Sequence, residues 1–189
     1  MSAVKRLIQN YNPQGIQEEA DQKLILNYLT LFDNLLVREN KIAHFTSSAF
    51  IVNPSRTKTL FIHHKIFQTW AWTGGHVDGN SDFLAVALKE AQEETGLKNF
   101  RVLSPEIASL DIIPVSGHLK NNEWVSSHQH LSLAFLLEAD EDDLLIQNKI
   151  ETNGVAWLDI SEIAAYSQEP TVIPVYQKLL KRLEQLDKV

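Results

Sequence analysis

The segment from Gly74 to Leu97 constrains the fold of this chain more than any other part of its sequence. Its first part is predicted to be a loop, because three of the seven glycines of the chain fall within residues 70–80 and glycine commonly marks turns. Residues 82–95 follow with apolar side chains at helical spacing, and Gly96 supplies a typical C-terminal stop. The sequence therefore predicts a glycine-rich loop that leads directly into an amphipathic helix.

Three carboxylates lie in the last turns of this predicted helix. Glu90, Glu93 and Glu94 are separated by spacings that place them in one sector of the helix surface. Like-charge pairs of this kind cost an isolated helix about 0.2–0.5 kcal/mol each, and Lys89 is the nearby basic residue. A hard cation such as Mg²⁺ would reverse this cost because it prefers oxygen ligands. Spacing alone leaves a second interpretation open, in which the glutamates form an ordinary solvated face.

Strand and helix patterns are interspersed along the rest of the chain. A β-hairpin is predicted from two β-prone runs, residues 49–52 and 59–63, which flank a turn-forming Asn-Pro-Ser-Arg sequence. Further strands are predicted over residues 107–115, 131–137 and 154–158. Further helices are predicted over residues 16–37, as one long helix or two short ones, and over residues 163–165 and 172–186. This arrangement is typical of an α/β sandwich with a mixed sheet.

The composition argues against several classes of protein. A net charge of −7 disfavours a nucleic-acid-binding protein, which needs dense Lys/Arg surfaces. The chain has no cysteine, so disulfides, thiolate metal sites and cysteine nucleophiles are excluded. No run approaches the roughly 18 apolar residues of a membrane helix, and no apolar run typical of a signal peptide follows the first residues. We therefore expect a cytoplasmic protein without nucleic-acid or membrane partners.

The order of residues in the central segment resembles the Nudix box, the signature of Nudix hydrolases. That signature runs Gly, five residues, Glu, seven residues, Arg-Glu, an apolar residue, any residue, Glu-Glu, any residue, Gly and an apolar residue. Gly75 occupies its first position, Glu90 the glutamate of Arg-Glu, and the paired glutamates fall on Glu93 and Glu94. The resemblance extends over roughly residues 44–185. It implies a Nudix-type α/β/α sandwich over residues 43–189, preceded by a helical extension over residues 1–42.

Two positions depart from the signature. Ser81 stands in place of its first glutamate, and Lys89 replaces the arginine, whose bidentate fork an ammonium group does not reproduce. These departures support an alternative function, a catalytically silent Nudix-like module for nucleotide binding or regulation. Isomerases that resemble Nudix proteins rely on a cysteine, which this chain lacks.

The resemblance implies Mg²⁺-dependent hydrolysis, with Mn²⁺ as a substitute, of a diphosphate linkage in a nucleoside diphosphate-linked or related small molecule. Glu90, Glu94 and Glu93 are the implied metal ligands, and the carbonyl of Gly74 is a further candidate. The implied catalytic residues are Glu93, which would orient the water, and Glu151, a candidate general base on a loop. An ordinary surface acid is the alternative interpretation of Glu151.

Four residues are candidate substrate contacts: Gly75, His76, His128 and His130. Residues two apart in a strand share a face, so His128 and His130 are expected to point together. Their spacing suits a Zn²⁺ site, yet no third ligand adjacent in sequence completes one, and Nudix chemistry calls for oxygen ligands. Ordinary half-buried histidines are the alternative interpretation.

The N-terminal helical region contains no recognisable substrate-binding motif. Together with residues 118–127 it is a candidate determinant of substrate choice. Alternatively, it forms a homodimer contact, for which Leu26, Leu31 and Leu35 are candidates provided that they are exposed.

Overall fold

A computed structural model of the chain describes residues 2–66, 68–120 and 122–186. Its helices are α1 (Ser2–Asn10), α2 (Ile16–Leu31), α3 (Phe83–Thr95), α4 (Ile163–Tyr166) and α5 (Ile173–Leu186), with a short 3-10 turn at Ile160–Glu162. Its strands are β1 (Ala43–Val52), β2 (Lys58–His64), β3 (Thr69–Ala71), β4 (Thr73–His76), β5 (Arg101–Val102), β6 (Ser109–Val115), β7 (His118–Lys120), β8 (Glu123–Val125), β9 (His128–Glu138) and β10 (Thr152–Asp159).

Strand β1 lies at the centre of a mixed, eight-stranded sheet. The main path of the sheet runs β10–β2–β1–β9–β5, while β3 pairs with β2, β4 with β1 and β6 with β9. β1 and β9 are parallel along all of β1, whereas the remaining pairs are antiparallel. β7 and β8 form a separate two-stranded sheet.

The two faces of this sheet pack against different helices. Odd-numbered residues of β1 and β9, such as Phe45 and Leu133, join a core with α1, α2 and α3. Even-numbered residues, such as Phe50 and Leu136, join a second core with α5. Because side chains alternate across a strand, these two cores define an α/β/α sandwich around a mixed sheet, as predicted.

The predicted hairpin and central helix are both present. β1 pairs with β2, with Ile51 opposite Leu60. Helix α3 begins after Asp82, whose side chain accepts a hydrogen bond from the N–H of Ala85, and it ends at Gly96 in the left-handed conformation. Of the one long or two short helices predicted over residues 16–37, a single helix is present, and the predicted range is too long because α2 ends at Leu31.

The predicted loop over residues 70–80 is wrong in its first part, which forms β3 and β4. Gly74 and Gly75 lie in β4, opposite Ser48 and Ser47 of β1. A Cβ on Gly74 would stand 2.8 Å from the carbonyl oxygen of Ser47, closer than real Cβ atoms approach. Glycine therefore serves close packing at this position and not the loop that we predicted from the sequence.

Helices α1 and α2 share a core with the sheet. Val4, Ile8 and Ile25 are at most 1% exposed and belong to the same cluster as α3. Of the candidate dimer contacts, Leu35 is fully buried, whereas Leu31 is 72% exposed. The homodimer and the domain boundary at residue 43 stay predictions. Within the described ranges, no helix combines the length and apolar character needed to cross a membrane.

Candidate active site

Strand β4 passes directly over the face of α3 that carries the glutamates. A Cβ on Gly75 would lie 2.5 Å from Oε2 of Glu90, so glycine is required for the carboxylate to occupy this position. At the other end of the helix, the hydroxyl of Ser47 in β1 donates a hydrogen bond of 2.6 Å to the carbonyl of Phe83. The sheet therefore fixes where Glu90 stands.

Glu94 lies between α3 and β4 and is only 5% exposed. Its Oε2 accepts a hydrogen bond of 3.0 Å from the backbone N–H of Gly74. Gly74 thus contacts the carboxylate through its amide, and the proposed role of its carbonyl as a metal ligand stays a prediction. Within the described part of the chain, no lysine or arginine pairs with Glu94. A buried anion with a neutral partner is costly unless a cation joins it.

Burial makes both inward-facing glutamates weaker acids than usual. Loss of solvation raises the pKa of Glu94 to about 8, the N–H of Gly74 opposes this shift, and the charges of Glu90 and Glu151 add to it. Burial likewise raises the pKa of Glu90, against the nearby charge of Lys89. A divalent cation between these oxygens would stabilise their ionised forms and so oppose both shifts, and the donor set therefore fits Mg²⁺ or Mn²⁺.

Glu93 points to solvent, unlike its two neighbours. Its side chain is 51% exposed and lies 3.0 Å from the ammonium of Lys89, which also stands 3.5 Å from Glu90. The interpretation as a solvated face therefore describes Glu93 but not Glu90 or Glu94. Metal binding or catalysis by Glu93 stays a prediction.

Glu151 reaches the site from the segment between β9 and β10. This segment packs on the end of α3, where the N–H of Ile146 donates a hydrogen bond of 2.8 Å to the carbonyl of Thr95. The side-chain amide of Asn148 donates to Glu151 at 2.9 Å. The charge of Glu151 contributes to the raised pKa values of both Glu90 and Glu94. The structure therefore brings Glu151 close to them, and its role as a base stays a prediction.

Residues from the segment before β1 support the turn that joins β4 to α3. The guanidinium of Arg38 donates two hydrogen bonds, of 2.9 and 2.5 Å, to Asp78 and holds the pKa of that carboxyl below its usual value. The N–H of Gly79 donates to the carbonyl of Leu36 at 2.8 Å. Ser81 itself is exposed. A bidentate arginine–carboxylate pair is thus present at this turn, although not at the helix position of the signature, and no local sequence pattern pointed to it.

Four histidines, His44, His76, His128 and His130, converge on the other face of the sheet, and we call them the histidine cluster. Their ring centres are 4.9–5.2 Å apart in five pairs. His44 was missed in the sequence, and it stands directly opposite His130 in the β1–β9 ladder. Burial lowers the pKa of His76 to about 3 and of His130 to about 2. These imidazoles are therefore neutral at physiological pH.

The predicted substrate contacts are therefore divided between the two faces. Gly75 pairs with Ser47, on the face that packs against α3, whereas His76 pairs with Thr46, on the face shared with His44. Substrate contact by Gly75, His76, His128 and His130 stays a prediction.

Comparison with known proteins agrees with this architecture. The family model of the NUDIX domain matches residues 43–183, well over half of the sequence. The chain therefore belongs to the Nudix family. This membership supports pyrophosphate hydrolysis as its general type of reaction. No curated protein sequence matches the chain.

Several solved structures share the fold. The C. elegans Ap4A hydrolase in a binary complex has a TM-score of 0.55 and 13% identity, covering 75% of this chain and 98% of that one. The E. coli dihydroneopterin triphosphate pyrophosphohydrolase has a TM-score of 0.54 and 15% identity, covering 72% and 92%. The NUDIX domain of Shewanella oneidensis NrtR complexed with ADP ribose has a TM-score of 0.53 and 13% identity, covering 83% and 97%. At sequence identities as low as these, the similarity shows a shared fold alone.

Proposed function

We propose that this protein hydrolyses a diphosphate linkage in a nucleoside diphosphate-linked or related small molecule, with Mg²⁺ as its cofactor. The observation that carries the proposal is the carboxylate of Glu94, which is 5% exposed and has a neutral amide as its hydrogen-bond donor. Glu90 and Glu151 add negative charge beside it. A cluster of oxygen donors with this charge is suited to a hard divalent cation.

Glu90 and Glu94 would hold the metal, with Glu93 and the carbonyl of Gly74 as further ligands. When bound, Mg²⁺ or Mn²⁺ supplies positive charge that neutralises the phosphoryl oxygens. The chain contributes the positioning: β4 fixes both buried carboxylates through the amide of Gly74 and the missing side chain of Gly75. The absence of a side chain at Gly75 also leaves the backbone open to approach by a phosphate.

Glu151 is the proposed general base. It is exposed and lies near the two buried glutamates, so it can accept a proton from a water that attacks the bound diphosphate. Glu93, also exposed at the edge of the site, is the candidate for orienting that water. The contrast between the exposed Glu151 and the less accessible Glu90 and Glu94 supports separate roles in proton transfer and in metal binding.

The substrate class rests on the fold neighbours and on the acidic site. The neighbours include an Ap4A hydrolase, a dihydroneopterin triphosphate pyrophosphohydrolase and a domain complexed with ADP ribose. These compounds share phosphoanhydride linkages and differ in the groups attached to them. We therefore propose a small-molecule substrate with such a linkage and choose the assay compounds from this range.

The test is a product assay over nucleoside triphosphates, dinucleoside polyphosphates and nucleoside diphosphate sugars, with and without Mg²⁺. We expect turnover of at least one compound, loss of turnover in EDTA, and a fall in kcat of about a hundredfold or more in Glu94→Gln. Glu184→Gln is the matched control, because it makes the same change at an exposed position of α5. It should leave kcat unchanged.

The opposite outcome has a defined meaning. A folded protein that binds one of these compounds, yet turns over none of them with Mg²⁺ or Mn²⁺, would contradict the hydrolase. That result would favour the silent binding module, and the departures at Ser81 and Lys89 would then be the first positions to revert towards the family signature.

A further inference from the structure

We propose that the histidine cluster is a second metal site, suited to Zn²⁺ and separate from the carboxylates of Glu90 and Glu94. Imidazole nitrogen is a favoured ligand of Zn²⁺, whereas Mg²⁺ binds oxygen. The sequence offered His128 and His130 without a third ligand. The fold supplies two more, because it brings His44 and His76 beside them.

The geometry is close to that of a tetrahedral site. With Zn–N bonds of about 2.0–2.1 Å, the ligand nitrogens lie about 3.4 Å apart and the ring centres about 5 Å apart. The Nε2 atoms of His128 and His130 are 3.3 Å apart, and the ring centres across the cluster are 4.9–5.2 Å apart in five pairs. The ligand nitrogens of His44, His76 and His130 lie within 4.8 Å of one another. Movements of the ring nitrogens by about 1 Å would bring them to bonding distance from a shared ion.

In two of the four rings, Nδ1 lies against a backbone carbonyl, which leaves Nε2 available to bind a metal ion. Nδ1 of His44 lies 3.0 Å from the carbonyl of Asn40, and Nδ1 of His128 lies 2.8 Å from the carbonyl of Ser126. A carbonyl accepts a hydrogen bond, so each Nδ1 carries the proton and each Nε2 carries a lone pair. Metal-binding histidines typically donate their other ring N–H in this way. Nε2 of His44 is buried without a hydrogen-bond partner, which is costly unless a ligand occupies the space in front of it.

Three strands hold the cluster, so it is largely preformed. His44 belongs to β1, His76 to β4, and His128 and His130 to β9. The nearby cation Arg38 is itself bound by two hydrogen bonds to Asp78, which limits its repulsion of a metal ion. An ion at this site would cross-link β1, β4 and β9. Because β4 also carries Gly74 and Gly75, this link would fix the strand that positions the carboxylates.

The test uses Co²⁺ as a probe of an untagged protein, in the presence of excess Mg²⁺ to occupy the carboxylates. We expect one equivalent of Co²⁺ to give the intense visible absorption of four-coordinate cobalt, and Zn²⁺ to displace it. His44→Gln/His130→Gln should abolish this absorption, and His128→Gln should weaken Zn²⁺ binding about tenfold or more. His63→Gln, a histidine of β2 outside the cluster, is the matched control and should bind as the unchanged protein does. Circular dichroism checks that each variant folds.

Two outcomes would overturn the proposal. One is the absence of tetrahedral Co²⁺ absorption in the unchanged protein, which requires no variant to fold. The other is metal binding that survives in the folded His44→Gln/His130→Gln protein. If the same variants instead raise KM for a diphosphate substrate without any effect on Zn²⁺ or Co²⁺ binding, the histidines contact substrate and the metal site is refuted. Neither result depends on whether Glu90 and Glu94 bind Mg²⁺.

Discussion

The backbone N–H of Gly74 donates a hydrogen bond of 3.0 Å to the carboxylate of Glu94. This bond joins β4 to the last turn of α3 and holds the most buried of the three glutamates in the signature. The neighbouring Gly75 packs so closely against Glu90 that a Cβ would clash with its carboxylate. Two consecutive glycines of one strand therefore fix two carboxylates of one helix, and this arrangement can be tested by adding a single methyl group.

Gly75→Ala should inactivate the protein without unfolding it. Its Cβ would lie 2.5 Å from Oε2 of Glu90, so the carboxylate must move by roughly an ångström, a displacement that costs about a hundredfold in rate. The measurement is kcat with Mg²⁺ on the compound identified in the assay. Gly154→Ala is the control, since its Cβ would stay 3.2 Å from its nearest neighbour, a ring atom of Trp70. Equal effects of both variants would contradict a specific role of Gly75.

In the metal-free protein, Glu94 should make stability fall as pH rises. Its pKa is about 8 in the folded protein, against an ordinary value of 4.5. Between these values the folded state keeps a proton that the unfolded state has released, so the free energy of unfolding decreases with pH. The slope for one group is about 1.4 kcal/mol per pH unit. Below pH 4.5 both states are protonated and the effect disappears.

Glu94→Gln removes this titration, so its advantage in Tm over the unchanged protein should grow from pH 5 to pH 8 in EDTA. Differential scanning calorimetry of both proteins provides the measurement, and Glu184→Gln serves as the control for an exposed glutamate. If the difference in Tm between the two proteins stays constant across this range, Glu94 is already ionised without metal. Addition of Mg²⁺ should reduce the difference, because a cation stabilises the ionised form.

Lys89→Met should change the free energy of unfolding by less than about 1 kcal/mol. The side chains of Lys89 and Glu93 are 61% and 51% exposed, and solvent screens exposed pairs of this kind. Urea denaturation measures the change, with Lys98→Met as a control at another exposed position. A loss above about 2 kcal/mol would contradict this prediction and show that Lys89 stabilises α3 by more than an exposed ion pair does.

Local patterns in the sequence were sufficient to predict several elements. The predicted caps and helical spacing identified α3, which ends at Gly96 as expected. Alternation of apolar residues identified β9, whose Leu131, Leu133 and Phe135 belong to one core. In each case a short stretch of residues contains the whole signal. The short strands β5, β7 and β8 have too few residues to show such a period.

Features that depend on long-range pairing could not be predicted in this way. The parallel register that places His44 opposite His130 joins segments far apart in the chain, so the sequence did not reveal that His44 belongs to the cluster. Gly74 and Gly75 were expected to form a loop because glycine usually marks turns. Their actual role becomes clear only from Ser47 and Glu90, the residues they pack against.

Lys178→Met should destabilise the protein by about 3–5 kcal/mol, because it leaves the buried carboxylate of Asp111 without its cation, whereas Glu18 keeps the guanidinium of Arg182 at 2.6 Å. The ammonium of Lys178 in α5 lies 2.8 Å from Glu18 of α2 and 2.6 Å from Asp111 of β6, whose side chains are 0% and 4% exposed. The measurement is the free energy of unfolding in urea. Lys181→Met changes an exposed lysine of the same helix and should have little effect. Equal losses in the two variants would contradict the prediction. A loss confined to Lys178→Met, in a single transition, would mean that α2 unfolds together with the Nudix domain, since this lysine joins them.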